Sequence, residues 1–418
     1  MRIKTLKEFC LIIVALFLFT RLGWSIDLES YSCMVCHGDM KTEYLKSIHL
    51  EKNIFCTDCH GGDPSSQDPE VSMSSKAGFK GKLSKKEAVL LCGNCHADKK
   101  RMKQYGVSTD QLEYYRTSQH GIALLEKNDQ NVADCVDCHG SHTITSVKDP
   151  LNKVFPTKLP KTCAVCHSDK KLMEEYQLPY NTLEEYTSGV HGKALLEKND
   201  RSAPTCAGCH GTHGATPPGV AEVGNVCGKC HINSETYFAK SPHFEAMKKR
   251  KISQCTSCHG NHAIQYPEIS MFDRTCLKCH DTGSGAYKRG QQIKAMILEA
   301  EEQIDKAKEL IVKANSKGQD VSGYENQLEQ ANTDMVQVLP VTHTLNISEV
   351  EKITSNARTV AGEISSSVNK YFKSLRMRKV GLGIVWLFIF FVSIILYLKV
   401  KRADKEFELE QEKEEEKV

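Results

Sequence analysis

The sequence predicts a mainly α-helical protein with much irregular structure, followed by a helical hairpin or coiled-coil region and a C-terminal transmembrane helix. Three observations predict this class. A short motif, Cys-x-x-Cys-His, recurs nine times between residues 33 and 280. From about residue 285, apolar residues step by three or four positions through a segment rich in Glu, Lys, Gln and Ala. Residues 380–398 are uncharged and mostly apolar, and as a helix they are long enough to cross a bilayer.

Residues 1–25 are expected to form a signal peptide. Basic residues at positions 2, 4 and 7 precede an apolar run at 10–19, and the small residues Gly23 and Ser25 follow. This order is typical of a secretory leader, here with cleavage after Ser25. An uncleaved anchor is the alternative, although the apolar run is short for a span. In both cases the residues that follow are exported.

The recurring motif has two cysteines three positions apart and a histidine directly behind the second. A zinc site would pair Cys-x-x-Cys units without a fixed histidine, and a thioredoxin-like motif would occur once on a strand-helix unit. A histidine in all nine motifs instead indicates haem c, held by two thioethers with that histidine as the proximal ligand. The sequence thus predicts nine covalent haems, on Cys33, Cys36, Cys56, Cys59, Cys92, Cys95, Cys135, Cys138, Cys163, Cys166, Cys206, Cys209, Cys227, Cys230, Cys255, Cys258, Cys276 and Cys279, with proximal ligands His37, His60, His96, His139, His167, His210, His231, His259 and His280.

With these motifs, residues 33–280 resemble the multihaem c-type cytochromes. The opening, "CMVCHGDMKTEYLKSIHLEKNIFCTDCH", is similar to the first two haem sites of the membrane-anchored tetrahaem quinol dehydrogenases that feed periplasmic nitrate and nitrite reductases. In that family a methionine just after the first motif can occupy the first haem iron. The matching residue here is Met40, one position later. The resemblance also implies haem attachment outside the cytoplasmic membrane.

The predicted haem domain, residues 26–284, has little chain for its cofactors. Nine motifs within residues 33–280 leave about 28 residues per haem, too few to wrap each haem separately, so we expect the haems to stack and form the core. Eighteen propionates would outweigh the formal charge of +3. We therefore expect the lysines to pair with propionates or face solvent, and no nucleic-acid partner.

The middle of the chain repeats. "HGIALLEKNDQNVADCVDCHGSH" returns 71 residues later as "HGKALLEKNDRSAPTCAGCHGTH", with a looser copy around His243 and a degenerate one around His49. The period carries two motifs, which predicts a duplicated dihaem module. Each module offers one histidine before a motif and one three residues after it. The later one lies too near its own proximal histidine to bind the opposite face of that haem, so we expect it to bind a neighbouring haem. The expected second ligands are His49, His120, His142, His191, His213, His243 and His262, with ordinary surface histidines as the plain alternative.

Nine irons are expected, but only eight of the 17 histidines lie outside the motifs. The eighth is His343, in "LPVTHTLN", which we expect to return toward the haems. The first module has Asp63 where the others have histidine, so the first three motifs have only His49 nearby, besides His343 and Met40. We expect the exceptional iron among these three motifs, with the Cys33 haem and Met40 as the preferred pair.

Residues 285–379 are predicted to form a helical hairpin or coiled coil. Apolar residues step by three or four along 293–314 and again along 321–338, on either side of "SKGQD". We expect Pro340 to end the hairpin, and Ser348 with Glu351 to form a capping box for a third helix that runs toward the membrane. Such a stripe forms a core or an oligomer seam, so association of copies through this region is one expectation.

Residues 380–398 are predicted to span a membrane and residues 399–418 to form a charged cytoplasmic tail, with a buried core helix as the alternative. Basic residues flank both ends of the span, so counting them does not orient it. The exported haems do, since they place the haem domain on the periplasmic or exterior side of the cytoplasmic (inner) membrane.

Iron held by two histidines has no open coordination site, so a chain of such haems moves electrons. The leading hypothesis is a membrane-anchored cytochrome that passes electrons from the quinol pool, or a membrane quinol-oxidising subunit, to periplasmic or extracellular acceptors in anaerobic respiration. The alternative is a multihaem oxidoreductase of the nitrite, hydroxylamine or tetrathionate type with one open iron. No motif has lysine in place of its histidine, a feature of several such reductases, and no catalytic residue is predicted. A haem-bearing assembly scaffold is the third hypothesis.

Overall fold

The computed structural model describes residues 31–214 and 226–415, with side chains up to residue 410. Helices, turns and irregular segments make up this part of the chain, and no β-strand occurs within it. The protein is therefore mainly α-helical with much irregular structure, as the sequence predicts. The expected signal peptide lies outside the described residues.

The described chain forms two compact units. One holds the residues up to 227 together with 255–266, and the other holds 228–254 and the residues from 267 onward. The expected domain borders, after residues 25, 284, 379 and 398, stay predictions.

Short helices joined by turns make up the chain as far as residue 214. They are α1 (Ser32–Cys36), α2 (Gly38–Tyr44), α3 (Ile48–Glu51), α4 (Cys56–His60), α5 (Pro69–Ser72), α6 (Lys85–His96), α7 (Lys99–Met102), α8 (Gln111–Thr117), α9 (Gln119–Leu125), α10 (Cys135–His139), α11 (Leu159–His167), α12 (Lys170–Glu175), α13 (Thr182–Ser188), α14 (Val190–Leu196) and α15 (Cys206–His210), with 3-10 turns at Ser75–Ala77 and Lys103–Tyr105.

Longer helices follow beyond residue 226. The elements are α16 (Ile232–Phe238), α17 (Pro242–Lys249), α18 (Gln254–His259), α19 (Met271–Arg274), α20 (Gly285–Asn315), α21 (Ser322–Val341) and α22 (Ile347–Glu415), with 3-10 turns at Cys227–Lys229, Cys276–Lys278 and Thr342–Thr344.

Most motifs lie on short helical turns, and the third and fifth form the last turns of the longer helices α6 and α11. Because an α-helix has about 3.6 residues per turn, cysteines three positions apart share one face of the turn. After the second, fourth, sixth and eighth motifs a glycine with φ between 70 and 84° ends the turn; these glycines are Gly61, Gly140, Gly211 and Gly260. The chain can then leave the motif at once, which frees the residue three after the proximal histidine to face elsewhere.

A sharp helix corner repeats at α8–α9 and at α13–α14. Gly121 and Gly192 directly follow the predicted ligands His120 and His191. A Cβ on these glycines would lie 1.8 Å from the Tyr115 carbonyl oxygen and 2.0 Å from the Tyr186 carbonyl oxygen, so only glycine permits the approach. The corner therefore fixes the start of each second helix, where the histidine stands.

The apolar core of the first unit is small. One cluster contains Tyr31, Met34 and Tyr44, and another contains Val89, Tyr115 and Leu124. Clusters of this size suit a unit whose remaining interior is filled by cofactor rather than by side chains.

In the second unit, α20 and α21 form the expected hairpin, and α22 packs along both. Their core consists of aliphatic side chains and alanines with almost no exposed surface: Ile304, Ala307, Ile311, Ala314, Val321, Leu328, Ala331, Ala357, Ala361, Ile364 and Val368. Arg358 on α22 adds ion pairs to Glu299 on α20, at 3.0 Å, and to Glu351 on its own helix, at 2.5 Å.

The structure corrects two expected helix ends. Pro340 does not end the hairpin, because α21 runs to Val341 and Pro340 sits in its last turn. The predicted capping box of Ser348 and Glu351 is also wrong. Helix α22 begins two residues earlier than that box requires, at Ile347, and the Asn346 side chain accepts the Ser348 N–H at 3.0 Å.

Helix α22 is about 100 Å long at about 1.5 Å per residue. Its most apolar window has a mean hydropathy of 2.6, and none of that window is buried. Trp386 and Phe388, within residues 380–398, are 64% and 68% exposed. By length and composition, this helix can cross a membrane.

Candidate haem-binding sites

Cysteine thiols of neighbouring motifs contact each other in pairs. The first cysteines of consecutive motifs hydrogen-bond to each other in three cases: Cys33 with Cys56, Cys92 with Cys135, and Cys163 with Cys206. An ion pair of 2.7 Å between Lys85 on α6 and Asp137 on α10 also joins the two helices that carry Cys92 and Cys135. The first and second, third and fourth, and fifth and sixth motifs are therefore neighbours in space.

Electrostatic contacts link these neighbours into a row. The Cys59 thiol lies close enough to Cys92 and Cys95 for their charges to raise its pKa, after the larger effect of burial. The Cys138 thiol is affected in the same way by Cys166, again after burial and two nearby aspartates. Motifs one to six thus follow one another without a gap.

Each of six proximal histidines faces a spare histidine. The ring centres are 6.1 Å apart for His49 and His96, 6.3 Å for His60 and His142, 6.1 Å for His120 and His167, 6.2 Å for His139 and His213, 6.0 Å for His210 and His262, and 5.9 Å for His243 and His280.

These separations fit one metal ion between two imidazoles. A metal–imidazole bond is about 2.0 Å and the ring centre lies about 1.1 Å behind the ligating nitrogen, so two rings on opposite sides of one ion have centres about 6.2 Å apart. Rings in direct contact would be closer. The six distances scatter narrowly around this value, so each pair has the spacing that two axial ligands of one haem iron would have.

The ionisation of these rings also suits a ligand. Burial lowers the pKa of eight of the twelve paired histidines, with further lowering in several cases from the facing ring: His49, His96, His120, His139, His167, His213, His243 and His262. Neutral imidazole is the form that binds a metal.

The pairs follow a fixed register. The histidine three residues after an even-numbered motif faces the proximal histidine of the previous even motif: His142 faces His60, His213 faces His139, and His262 faces His210. The histidine that precedes an even motif faces forward, to the proximal histidine of the next odd motif. His49 and His96 are 47 residues apart, as are His120 and His167.

This register changes the interpretation of the first module. Proximity in sequence gives the first three motifs only His49 among the module histidines, but His142 reaches back from the next module to His60. A histidine at position 63 would serve a motif before Cys33, and the described chain has none there. Asp63 instead accepts hydrogen bonds from the Ser65 hydroxyl at 2.6 Å and the Ser65 N–H at 2.9 Å.

By the same rule, no module histidine between residues 33 and 280 is assigned to the first motif. Its ligand would come from a module before residue 33, and residues 1–30 contain no histidine. In the part of the chain that the structure describes, no second ring faces His37, which is exposed. Met40, on α2, is half-buried three residues further on.

The remaining predicted ligands are His191, His231, His259 and His343, and each of them takes part in contacts. His343 lies on the 3-10 turn after α21, where its Nδ1 is 3.0 Å from the Pro340 carbonyl oxygen. Across the described residues, no group of three or more His, Cys, Asp and Glu side chains could hold a metal ion.

Residues 226–301 match the family model of cytochrome c554 and c-prime. The segment contains the last three motifs and the first part of α20. The match supports a haem c electron-transfer protein and implies covalently bound haem c, on 76 of the 418 residues. We found no significant match among the curated proteins or among the solved structures.

Three tyrosines that the motif pattern did not single out hold the motifs in place. Tyr44, Tyr115 and Tyr186 are spaced by 71 residues, and each hydroxyl donates to a carbonyl two residues before an even motif. The acceptors are Ile54, Ala133 and Pro204, the last two at 2.8 Å. Their spacing equals that of His49, His120 and His191, and this shared period was the available signal.

Proposed function

We propose that this chain is a nonahaem c-type cytochrome, anchored in the cytoplasmic membrane by residues 380–398, that carries electrons from the quinol pool or a membrane quinol-oxidising partner to exported acceptors. The observation that carries the proposal is the set of six histidine pairs. Two imidazoles on one iron leave no position for a substrate, so such haems exchange electrons and do no bond chemistry.

The row of motifs supports transport along the chain. Neighbouring thiols in motifs one to six would hold successive haems close to one another. When bound, the haems supply one-electron transfer. The chain contributes fixed spacing, second ligands, and exclusion of water from the half-buried histidines.

The direct test is quinol oxidation by membranes that contain the full-length protein. We expect a menaquinol or ubiquinol analogue to reduce the haems, and an added soluble acceptor to reoxidise them. A matched variant, His213→Ala, removes one facing histidine in the middle of the row and should slow reoxidation. Membranes in which quinol leaves every haem oxidised would contradict the proposal.

An enzyme with one open iron is the second candidate, and His37 favours it because no second ring in the described chain faces that histidine. Assays with nitrite and hydroxylamine on the purified protein distinguish the two. Turnover that survives His213→Ala but is lost in His37→Ala would favour an enzyme centred on the first motif.

The membrane anchor has its own test. We propose that the haem domain faces the periplasm or exterior and the acidic tail the cytoplasm. Protease added to intact spheroplasts should destroy the haem domain and spare a tag placed after Val418. Loss of the tag with the haem domain would reverse this orientation.

A further inference from the structure

A carboxylate lies against one of the paired histidines. Glu185, on α13, places its Oε2 atom 3.4 Å from the Nδ1 atom of His262, whose ring faces His210. Both side chains are partly shielded, with 35% of the Glu185 side chain and 22% of the His262 side chain exposed. The carboxylate thus contacts His262 at Nδ1, while the His210 ring faces His262 without direct contact.

Glu185 is held in this position by a separate contact. The Asn181 side-chain amide donates a 2.8 Å hydrogen bond to Oε1, the oxygen that does not face His262. The Glu185 carbonyl oxygen accepts from the Ser188 hydroxyl at 2.8 Å and from the Gly189 N–H at 3.1 Å, which fixes the end of α13. The carboxylate is therefore oriented by its own helix and does not depend on His262 for its direction.

The segment that carries His262 is fixed against the same helix end. The Val190 N–H donates to the Ile264 carbonyl oxygen at 2.7 Å. A Cβ on Gly189 would lie only 2.9 Å from the His262 carbonyl oxygen. The distance between Glu185 and His262 is thus set by backbone packing.

Two other paired rings have neutral partners at Nδ1. His60 donates to the Gly81 carbonyl oxygen at 3.0 Å, and the Nδ1 of His142 is 3.4 Å from the Ser141 hydroxyl. The residue equivalent to Glu185 two repeats earlier is Glu43, which is exposed and forms no ion pair in the described part of the chain. A charged partner is therefore not a general property of the repeat.

We propose that Glu185 is a positioning residue that lowers the reduction potential of the haem iron held between His210 and His262. A ligating histidine that donates its other ring N–H to a carboxylate becomes a stronger electron donor, and this favours ferric over ferrous iron. The inference rests on the proposed function in one respect, that this pair holds a haem iron. It adds a low-potential step at the sixth motif of the row.

The test is a potentiometric titration of the full-length, haem-loaded protein, followed by electron paramagnetic resonance at fixed pH. Glu185→Gln keeps the shape and removes the charge, so one of the haem components should shift to a more positive potential while the others keep theirs. Glu185→Asp keeps the charge and should retain most of the low potential. Asn181→Ala releases the carboxylate and should give a smaller positive shift than Glu185→Gln.

Two matched controls remove a carboxylate elsewhere. Glu184→Gln changes the exposed neighbour on the same helix, and Glu43→Gln changes the equivalent position two repeats earlier. Both should leave every component unchanged. An equal shift in either control, or a common shift of all components in Glu185→Gln, would overturn the proposal, because it would mean that general surface charge is being measured.

The affected haem is assigned by a second substitution. His262→Met alters the ligand of the same haem and removes Nδ1, so adding Glu185→Gln to this background should cause no further shift. A further shift there would contradict the proposal. The haem content of each variant distinguishes failure of the proposed function from failure of the role proposed for Glu185. Absence of haem from Cys206 and Cys209 contradicts the proposed function. A fully loaded protein with unchanged potentials contradicts only the role of Glu185.

Discussion

His37 and Met40 are three residues apart, the same separation as His139 and His142. Those two histidines face different rings, so at that motif residues with this spacing are not placed to bind opposite faces of one haem. Met40 would therefore bind the first iron on the side otherwise taken by His37. The exposure of His37 is consistent with a ring that the surrounding chain does not fix.

Substitution of Met40 by alanine tests this ligand. We expect the native protein to show a methionine-to-iron charge-transfer band in magnetic circular dichroism, because thioether sulfur binds haem iron in other cytochromes. The band should disappear in Met40→Ala. Met73, 41% exposed, provides the control, and Met73→Ala should keep the band. Nine histidine-histidine signatures in the native protein would exclude Met40 as a ligand.

Gly121 offers a second test at the residue scale. In Gly121→Ala the new Cβ meets backbone atoms of Tyr115 and Arg116, so α9 must move away from α8 and carry His120 with it. Overpacking of this kind costs about 3 kcal/mol, and the haem between His120 and His167 should become partly high-spin.

Gly362→Ala is the matched control for Gly121→Ala. This glycine is exposed in the middle of α22, and a Cβ added to it would have no atom within 4 Å outside its own stretch of helix. Alanine should stabilise the helix there by up to about 1 kcal/mol and leave the haem spectra unchanged. High-spin signals in the control, or none in Gly121→Ala, would contradict the proposed role of the corner.

At the scale of helices, the close packing of α20 against α22 depends on alanine. Ala307, Ala357 and Ala361 are fully buried where α20 and α22 meet. Small side chains let two helix axes approach, and larger ones in the same positions force the helices apart.

Ala361→Leu should therefore lower the free energy of unfolding of the helical region by about 1 to 3 kcal/mol, measured by thermal melting of the helical circular dichroism signal. Glu363→Leu, an exposed change on the same turn, should have little effect. Equal melting curves for the two variants would show that the packing tolerates the larger side chain.

The sequence predicted the parts whose signals are local. The motif turns, the start of α20 near residue 285 and the hairpin all follow from spacing within a few residues. The first residue of α22 did not, because Asn346 and Ser348 are both good caps and the choice depends on packing.

The pairing of the histidines could not be predicted from the sequence. His60 and His142 lie 82 residues apart, and no feature of the intervening sequence indicates that their rings face each other. The repeat identified which histidines belong to the same class, but their pairing depends on how modules stack. The contact of Glu185 with His262 could not be predicted either, because it also depends on how the modules pack.

At the scale of the whole molecule, the proposed haem count gives the simplest test. Denatured, signal-processed protein should exceed its polypeptide mass by nine haems, each about 616 Da. Mass spectrometry under denaturing conditions retains only covalently bound groups, so noncovalent haem does not contribute. A mass corresponding to fewer than eight haems, or stoichiometric zinc, would contradict the proposal.

The register of the histidine pairs also says how such a chain can change its length. Removal of residues 120–190 deletes one full period, with two motifs, and brings His213 into the position that His142 had relative to His60. His49 keeps His96, and His262 keeps His210, so no ring among these loses its partner. The shortened protein should therefore fold with seven haems, one pair of motifs fewer than the full chain. The gain or loss of one whole period thus changes the number of haems by two and leaves the remaining histidines with partners.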